Sequence, residues 1–341
     1  MKAVIVHHPA TLHSLSIEDR EEPQVRPGHV KVRWRALSLN FHDYAVASGM
    51  MPADDGRIPV SDGAGEIVAV GTGVTEWTVG DKVMSLFFPE WLDGEPTAEN
   101  MRVIAGDTVD GCAVEFGIYR PDALTRIPEG YSFQEAATLP CAALTAWRAL
   151  VEVGGLRSGE TVLVEGSGGV SVFALQIAAA LGAKIVATSA SAQKAARLRK
   201  LGASQVVNYL EDDKWGQTIR EMTDGGVDHV MDIGGATTLP QSIAATRVGG
   251  SVVMVGMLGG LTVELNLIEV MLRQQKISPI AVGSRAMQQR MVTAIEQVGL
   301  RPVIDSVFPF SKIADALQHQ LSGQHFGKIV IDMTMDDHLT P

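Results

Sequence analysis

The stretch Leu163-Val164-Glu165-Gly166-Ser167-Gly168-Gly169-Val170-Ser171 has the residue types and spacing to hold a phosphate. Gly166 permits a tight turn, and Gly168 leaves no side chain where backbone must meet a pyrophosphate. A helix opening at Gly169 and Val170 would offer that anion unpaired N–H groups and the positive end of its dipole, with Ser167 in the loop before it. Ser171 stands where the third glycine of G-x-G-x-x-G packs helix on strand. Such a loop also occurs as a plain strand-to-helix turn, but repeated strand–helix units around it favour the dinucleotide reading. About 20 residues on, NAD sites place a carboxylate for the ribose 2′-hydroxyl. Here Thr188-Ser189-Ala190-Ser191 and then Lys194 follow the next apolar run. Ser189 and Ser191 can donate to a 2′-phosphate, and Lys194 can neutralise it or stand as an ordinary surface residue. NADP(H) is therefore expected over NAD(H).

Other chemistries lack their residues. Two cysteines, Cys112 and Cys141, cannot build a disulfide framework or a four-thiolate zinc site. Nine histidines are present, none in H-E-x-x-H or another ligand spacing. With 39 acidic residues against 28 Lys and Arg, the net charge of −11 suits neither a nucleic acid nor an anionic membrane. No signal-peptide pattern opens the chain and no run is long enough to span a bilayer, so a cytoplasmic protein is expected.

The elements that must position these groups show two textures. Residues 1–125 read as short strands split by turns, among them Val4–Val6, Val30–Trp34 and Glu66–Val70. Ser132 and Glu135 form a capping-box pattern ahead of an Ala/Leu-rich helix over Glu135–Leu150. The chain then alternates: strands at Thr161–Val164, Ile185–Ala187, Val206–Asn208, Val227–Asp232 and Val252–Val255. Helices lie between them at Val172–Leu181, Ala192–Leu201, Trp215–Met222 and Leu239–Arg247. This alternation predicts βαβ units on a parallel sheet, and continuous apolar strands predict one covered on both faces. From about Arg285 the chain reads helix, strand, helix, strand. Its 341 residues suit about two domains.

Ordered motifs along nearly the whole chain are Leu39-Asn40-Phe41-His42-Asp43, Ser61-Asp62-Gly63-Ala64-Gly65-Glu66, Val79-Gly80-Asp81-Lys82-Val83 and Gly111 to Phe116. Then come Ala137-Thr138-Leu139-Pro140-Cys141, Leu144-Thr145-Ala146-Trp147, the glycine loop, and His325-Phe326-Gly327-Lys328. With them the chain resembles the medium-chain dehydrogenase/reductase superfamily. The resemblance implies an α/β protein. A mostly β, GroES-like catalytic domain, 1–125 and 286–341, would surround a doubly wound Rossmann NADP(H)-binding domain, 126–285.

Zinc-dependent members carry a Cys where this chain has Asn40 and a His where it has Ser61, leaving Cys141 as a lone candidate donor. No zinc is expected, and the resemblance narrows to the quinone oxidoreductase-like branch. It implies that Asn40 lies near the nicotinamide, with Thr145, Gly166, Ser167, Gly168, Gly169, Val170, Ser189, Lys194, Tyr209, Gly256 and Ser284 along the cofactor. Tyr209 also reads as a half-buried aromatic at a strand end. The expected reaction is hydride transfer from NADPH to a quinone, enone or other activated alkene. Asn40 would donate to the developing oxyanion. His42 would deliver a proton with its ordinary pKa near 6.5 or act as a cofactor contact, while Asp43 orients the segment. Phe87, Phe88 and Trp91 wall a pocket or fill core. Alternatives are a zinc-free carbonyl reductase, a non-catalytic NADPH-binding protein, and an acyl-CoA enoyl reductase using Arg33, Arg35 and Arg57. The substrate is a small molecule, and the resemblance implies a homodimer joined by a sheet-edge strand over Ile277–Val282.

Overall fold

A computed structural model describes residues 1–335. The chain forms two compact units, Met1–Leu144 together with the chain from Gly283 on, and Thr145–Val282. The first unit thus keeps residues 126–144, which the resemblance assigned to the cofactor domain. The reason is packing: helix Phe133–Ala137 lies on strands Val30–Ser38 and Asp62–Val70.

The first unit is built on a seven-stranded sheet ordered Ile304–Pro309, Lys328–Asp332, Val30–Ser38, Asp62–Val70, Lys82–Ser85, Leu124–Arg126, with Phe116–Tyr119 also paired to Val30–Ser38. The last strand in sequence therefore lies antiparallel beside one of the first, Val330 opposite Ser38. Ile5, Trp34, Leu37, Ile67 and Leu124 are buried together as its core. Strands Lys82–Ser85 and Phe116–Tyr119 escape a sequence reading, because four residues, with Gly117 inside the second, carry little periodicity.

One backbone position is strained. Val60, fully buried, holds φ at +75°, a region a β-branched residue rarely enters. It is kept there by Cys112 N–H, which donates to Val60 O at 2.7 Å. Gly111 packs so tightly alongside that a Cβ would come within 2.3 Å of the same oxygen. The turn delivers Ser61 and Asp62 to the start of their strand.

The second unit is a six-stranded, all-parallel sheet in the order Gln205–Val207, Lys184–Thr188, Thr161–Glu165, Val227–Asp232, Thr246–Met254, Lys276–Pro279. Counted from its first strand this is the doubly wound order 3-2-1-4-5-6, whose switch point falls beside Thr161–Glu165. The five strands and four helices expected between residues 161 and 255 are present, with ends shifted by a few residues. Helix Trp215–Met222 meets helix Leu239–Ala245 closely, since a Cβ on Gly216 would lie 2.2 Å from Gln241 O. The edge strand stops at Pro279 rather than reaching Val282.

The helix expected over Glu135–Leu150 is less regular than its composition suggests. The Ser132–Glu135 capping box forms in both directions, at 3.1 and 2.9 Å. Beyond it the chain widens into π-type turns over Leu139–Ala143 and Arg148–Val153. Pro140 lacks the N–H that a regular ladder needs in the first of these. No helix among the described residues is long and apolar enough to cross a membrane.

Candidate active site

In the first unit a buried polar cluster gathers around Asn40. This residue opens helix Phe41–Ala47, and Asp43 in the first turn accepts the Asn40 N–H at 2.7 Å and the Ser61 N–H at 2.9 Å. Asp43 is thereby a hub that ties two chain segments to one carboxylate. The side chain of Asn40 is left for other work. Its Oδ1 accepts from Lys328 Nζ at 2.6 Å, and its Nδ2 donates to Ser61 Oγ at 3.3 Å. Ser61 Oγ donates to Asp62 Oδ1 at 2.8 Å, and Cys141 N–H donates to Asp62 Oδ2 at 3.1 Å. Burial pushes the Asp62 carboxyl up to about 6, against the pull of the Lys328 charge. Asp62 and Lys328 are functional candidates that local sequence reading missed, although both lie inside quoted motifs.

His42 follows on the same helix. Its Nε2 meets Asp107 Oδ2 at 3.1 Å, its Nδ1 lies 3.9 Å from Asp43 Oδ1, and its ring stands edge-on to Phe87 at 5.0 Å. Burial opposes the charged imidazole, but the Asp107 hydrogen bond and the two carboxylate charges outweigh it and raise the pKa to about 9. The ordinary value near 6.5 is corrected accordingly: His42 is an imidazolium at neutral pH. Asp107 comes from a loop 65 positions away and had no motif to announce it. Phe87, Phe88 and Trp91 are all buried, with successive ring centroids 4.8 and 6.0 Å apart, so they form core behind His42.

In the second unit the glycine loop leaves strand Thr161–Glu165 and enters helix Gly169–Ala180. Gly166 has φ +69° with open space where a Cβ would stand, the tight turn its type allows. Gly168 is the N-cap and no side chain caps the helix, so an incoming anion would meet uncapped first-turn N–H groups. Ser171, in the third-glycine position, is small enough to be buried there and donates to Glu165 O at 2.7 Å. The residues fit a dinucleotide phosphate.

Beneath the loop lies an unexpected pair of acids. Ser242 Oγ is 2.5 Å from Glu165 Oε1 and 2.7 Å from Asp232 Oδ2. A hydroxyl has one proton to give, so one of the two contacts needs a protonated carboxyl. Asp232 already accepts from Gly235 N–H at 2.8 Å and Thr238 Oγ1 at 2.9 Å. Ser242 therefore donates to Asp232, and Glu165 is the acid that donates to Ser242. Burial and the Asp232 charge push Glu165 up to about 8, in agreement with this count.

The remaining expected contacts are spread over both units. Ser189 is buried, and its Oγ exchanges contacts with the backbone of Ser191 at 3.3 Å. Ser191 caps helix Ala192–Lys200 by accepting from the Lys194 N–H, and Lys194 is partly exposed in the first turn. Tyr209 is 43% exposed just past strand Gln205–Val207, and Thr145 is buried at the start of this unit. Gly256 is packed so that a Cβ would meet Ile233 O at 2.5 Å. Ser284 belongs to the first unit, where it is fully buried and accepts from Met287 N–H at 3.2 Å. Arg57 is paired with Asp54 and Asp110, and Arg35 with Glu66, which leaves neither as a loose phosphate ligand.

A zinc ion does not fit the donors of the first unit. The Asn40 carbonyl oxygen is taken by an ammonium group, Ser61 offers a neutral hydroxyl, and Cys141 is a single thiol. Among the described residues no cluster of three or more His, Cys, Asp or Glu could hold a metal.

Comparison with known proteins agrees with this architecture. Residues 26–129 match the alcohol dehydrogenase GroES-like domain, and residues 169–298 match the zinc-binding dehydrogenase domain. A zinc-type alcohol dehydrogenase-like protein of Schizosaccharomyces pombe is 41% identical over 327 residues, covering 93% of this chain and 94% of its own. A quinone oxidoreductase of Pongo abelii is 28% identical, covering 80% of this chain and 79% of its own. Among solved structures, a putative alcohol dehydrogenase from Sinorhizobium meliloti superposes with a TM-score of 0.91 at 36% identity, covering 97% of this chain and 98% of that one.

Proposed function

The chain belongs to the medium-chain dehydrogenase/reductase superfamily and is an oxidoreductase of that family, and from this premise we propose a zinc-independent NADPH-dependent reductase of quinones, enones or other activated alkenes. The observation that carries the reading is the Asn40 cluster, where a hydrogen-bond donor and a protonated histidine stand in place of a metal set. When bound, NADPH supplies the hydride. Gly166, Ser167, Gly168, Gly169 and Val170 would hold its pyrophosphate, and Ser189 with Lys194 its 2′-phosphate. Addition of hydride to an enone leaves an enolate oxygen. Asn40 Nδ2 would stabilise that oxyanion as a fixed donor, and His42 would return the proton.

A panel of enones, quinones and aldehydes assayed by NADPH and NADH oxidation, with metal analysis of the purified protein, tests the reading. Reduction of the alkene of an enal with NADPH preferred is expected. Stoichiometric zinc, aldehyde reduction alone, or tighter NADH binding would each refute its part.

The pKa of His42 fixes the pH dependence. Its proton-donating form persists up to about pH 9, so kcat should hold through neutrality and fall above that value. His42→Gln should lose that alkaline limb and slow turnover about 10²-fold. An unchanged pH profile in the variant would remove His42 as donor.

A homodimer joined along Lys276–Pro279 is also proposed. That strand is a sheet edge, and the preceding helix Leu267–Arg273 exposes Leu267, Ile268, Met271 and Leu272 at 54–73%. An unpaired edge beside an apolar face fits a second copy of the same strand. Sedimentation equilibrium should give twice the chain mass, and Ile277→Lys should shift it toward the monomer. A wild-type monomer would end this proposal.

A further inference from the structure

We propose that Lys328 is a positioning residue for Asn40, selecting which end of its amide is presented for chemistry. The inference rests on the reading of Asn40 as oxyanion donor and adds the residue that makes it one. Lys328 is 3% exposed, and its Nζ donates to two oxygens at 2.6 Å, the backbone carbonyl of Leu39 and Oδ1 of Asn40. Burying an ammonium costs several kcal/mol unless it is well compensated. A strand beginning in a core would be served as well by an apolar residue, so the charge calls for a reason.

The reason lies in the chemistry of the primary amide. Its two ends have nearly the same shape, one accepting hydrogen bonds and the other donating them. The neighbour on the other side, Ser61 Oγ, accepts from Nδ2 while its own proton is on Asp62, but a hydroxyl can turn and donate instead. An ammonium does choose, because it has no lone pair and tolerates only the oxygen end. With Lys328 in place, Oδ1 is captured and Nδ2 is the end left for donation. The ammonium also draws electron density through the amide, which strengthens Nδ2–H as a donor.

Local structure holds the lysine to this task. Gly327, just before it, has φ +88° and packs so that a Cβ would stand 2.3 Å from Val303 O. Lys328 N–H donates to that same oxygen at 3.0 Å. The strand entry is therefore fixed at the residue that carries the ammonium. On the far side Asp62 supplies the compensating charge.

The test compares Lys328→Met, Asn40→Ala and the double variant on a substrate reduced by the wild type, with NADPH binding and thermal unfolding measured for each. Lys328→Met should lower kcat 10- to 100-fold with the NADPH Kd within about twofold. The double variant should be no slower than Asn40→Ala alone, because Lys328 acts through Asn40. A wild-type kcat for Lys328→Met, or multiplicative losses in the double variant, would overturn the proposal. A readout independent of catalysis is the Asn40 side-chain amide resonance, identified by its absence in Asn40→Ala. It should move in Lys328→Met and stay in place in Lys328→Arg, whose guanidinium also offers only donors. Should Lys328→Met fail to fold, a displaced resonance in a folded Lys328→Arg would overturn the positioning role. Full activity of Asn40→Ala with the resonance still governed by Lys328 would refute the oxyanion reading but leave the positioning intact.

Discussion

Asn40→Ala is expected to lower kcat by about 10² to 10³, the usual loss when one oxyanion donor is removed. The NADPH Kd should change only a few-fold, because the phosphates are expected to be held by the glycine loop of the other unit. The large effect belongs in kcat because the interaction strengthens as charge develops on the substrate oxygen. The same change leaves the Lys328 ammonium with one fewer acceptor, at a cost of about 1–3 kcal/mol in stability. Turnover and chemical unfolding of the variant should therefore both fall. Ser61→Ala serves as the comparison: it loses only the weak 3.3 Å contact to Asn40 and the bond to Asp62, so its kcat should stay within tenfold of wild type. A kcat for Asn40→Ala within threefold of wild type would end the oxyanion assignment.

Glu165→Gln is expected to stabilise the protein at pH 8 and to flatten the alkaline fall in its stability. The sign follows from proton counting. Folding raises the Glu165 pKa from 4.5 to about 8, so the folded state binds more protons than the unfolded state between these values. Stability is then fully present below pH 4.5 and is lost as pH rises toward 8, with a slope of about 1.4 kcal/mol per pH unit from this group alone. Asp232 is raised in the same direction and adds to the loss. Glutamine fits the geometry, because its amide can donate to Ser242 Oγ while its oxygen accepts the Ile233 N–H that Glu165 Oε2 now accepts at 3.0 Å. Urea unfolding of both proteins at pH 6 and pH 8 checks this. Equal losses of stability between the two pH values would show that Glu165 carries no proton in the folded state. Asp232→Asn should behave differently, since Asp232 is the acceptor for a backbone N–H and two hydroxyls, and destabilisation is expected at every pH.

The second unit was legible in sequence because its signals are local. Strand Thr161–Glu165 carries the apolar run Val162-Leu163-Val164, and the glycine loop that follows it is a contiguous motif. The first unit yielded less. Strands Lys82–Ser85 and Phe116–Tyr119 have four residues each, and the first hides behind the turn residues Gly80 and Asp81. The site residues divide in the same way. Asn40, His42 and Asp43 stand in one motif, whereas Asp107 meets His42 across 65 positions and Asp232 meets Glu165 through Ser242. A fully charged His42 likewise required knowing what surrounds the ring. No periodicity or spacing rule encodes such pairings, because they depend on which strands become neighbours.

The bond between Lys328 and Asn40 spans 288 positions, which sets a clock on the ribosome. At about 5–20 residues per second, Asn40 emerges tens of seconds before the lysine that orients it. All six strands of the parallel sheet are synthesised in that interval. A nascent or prematurely released chain can thus own the complete parallel sheet while the bond between Lys328 and Asn40 is still unmade. Translation to the final strand is the step that arms the enzyme.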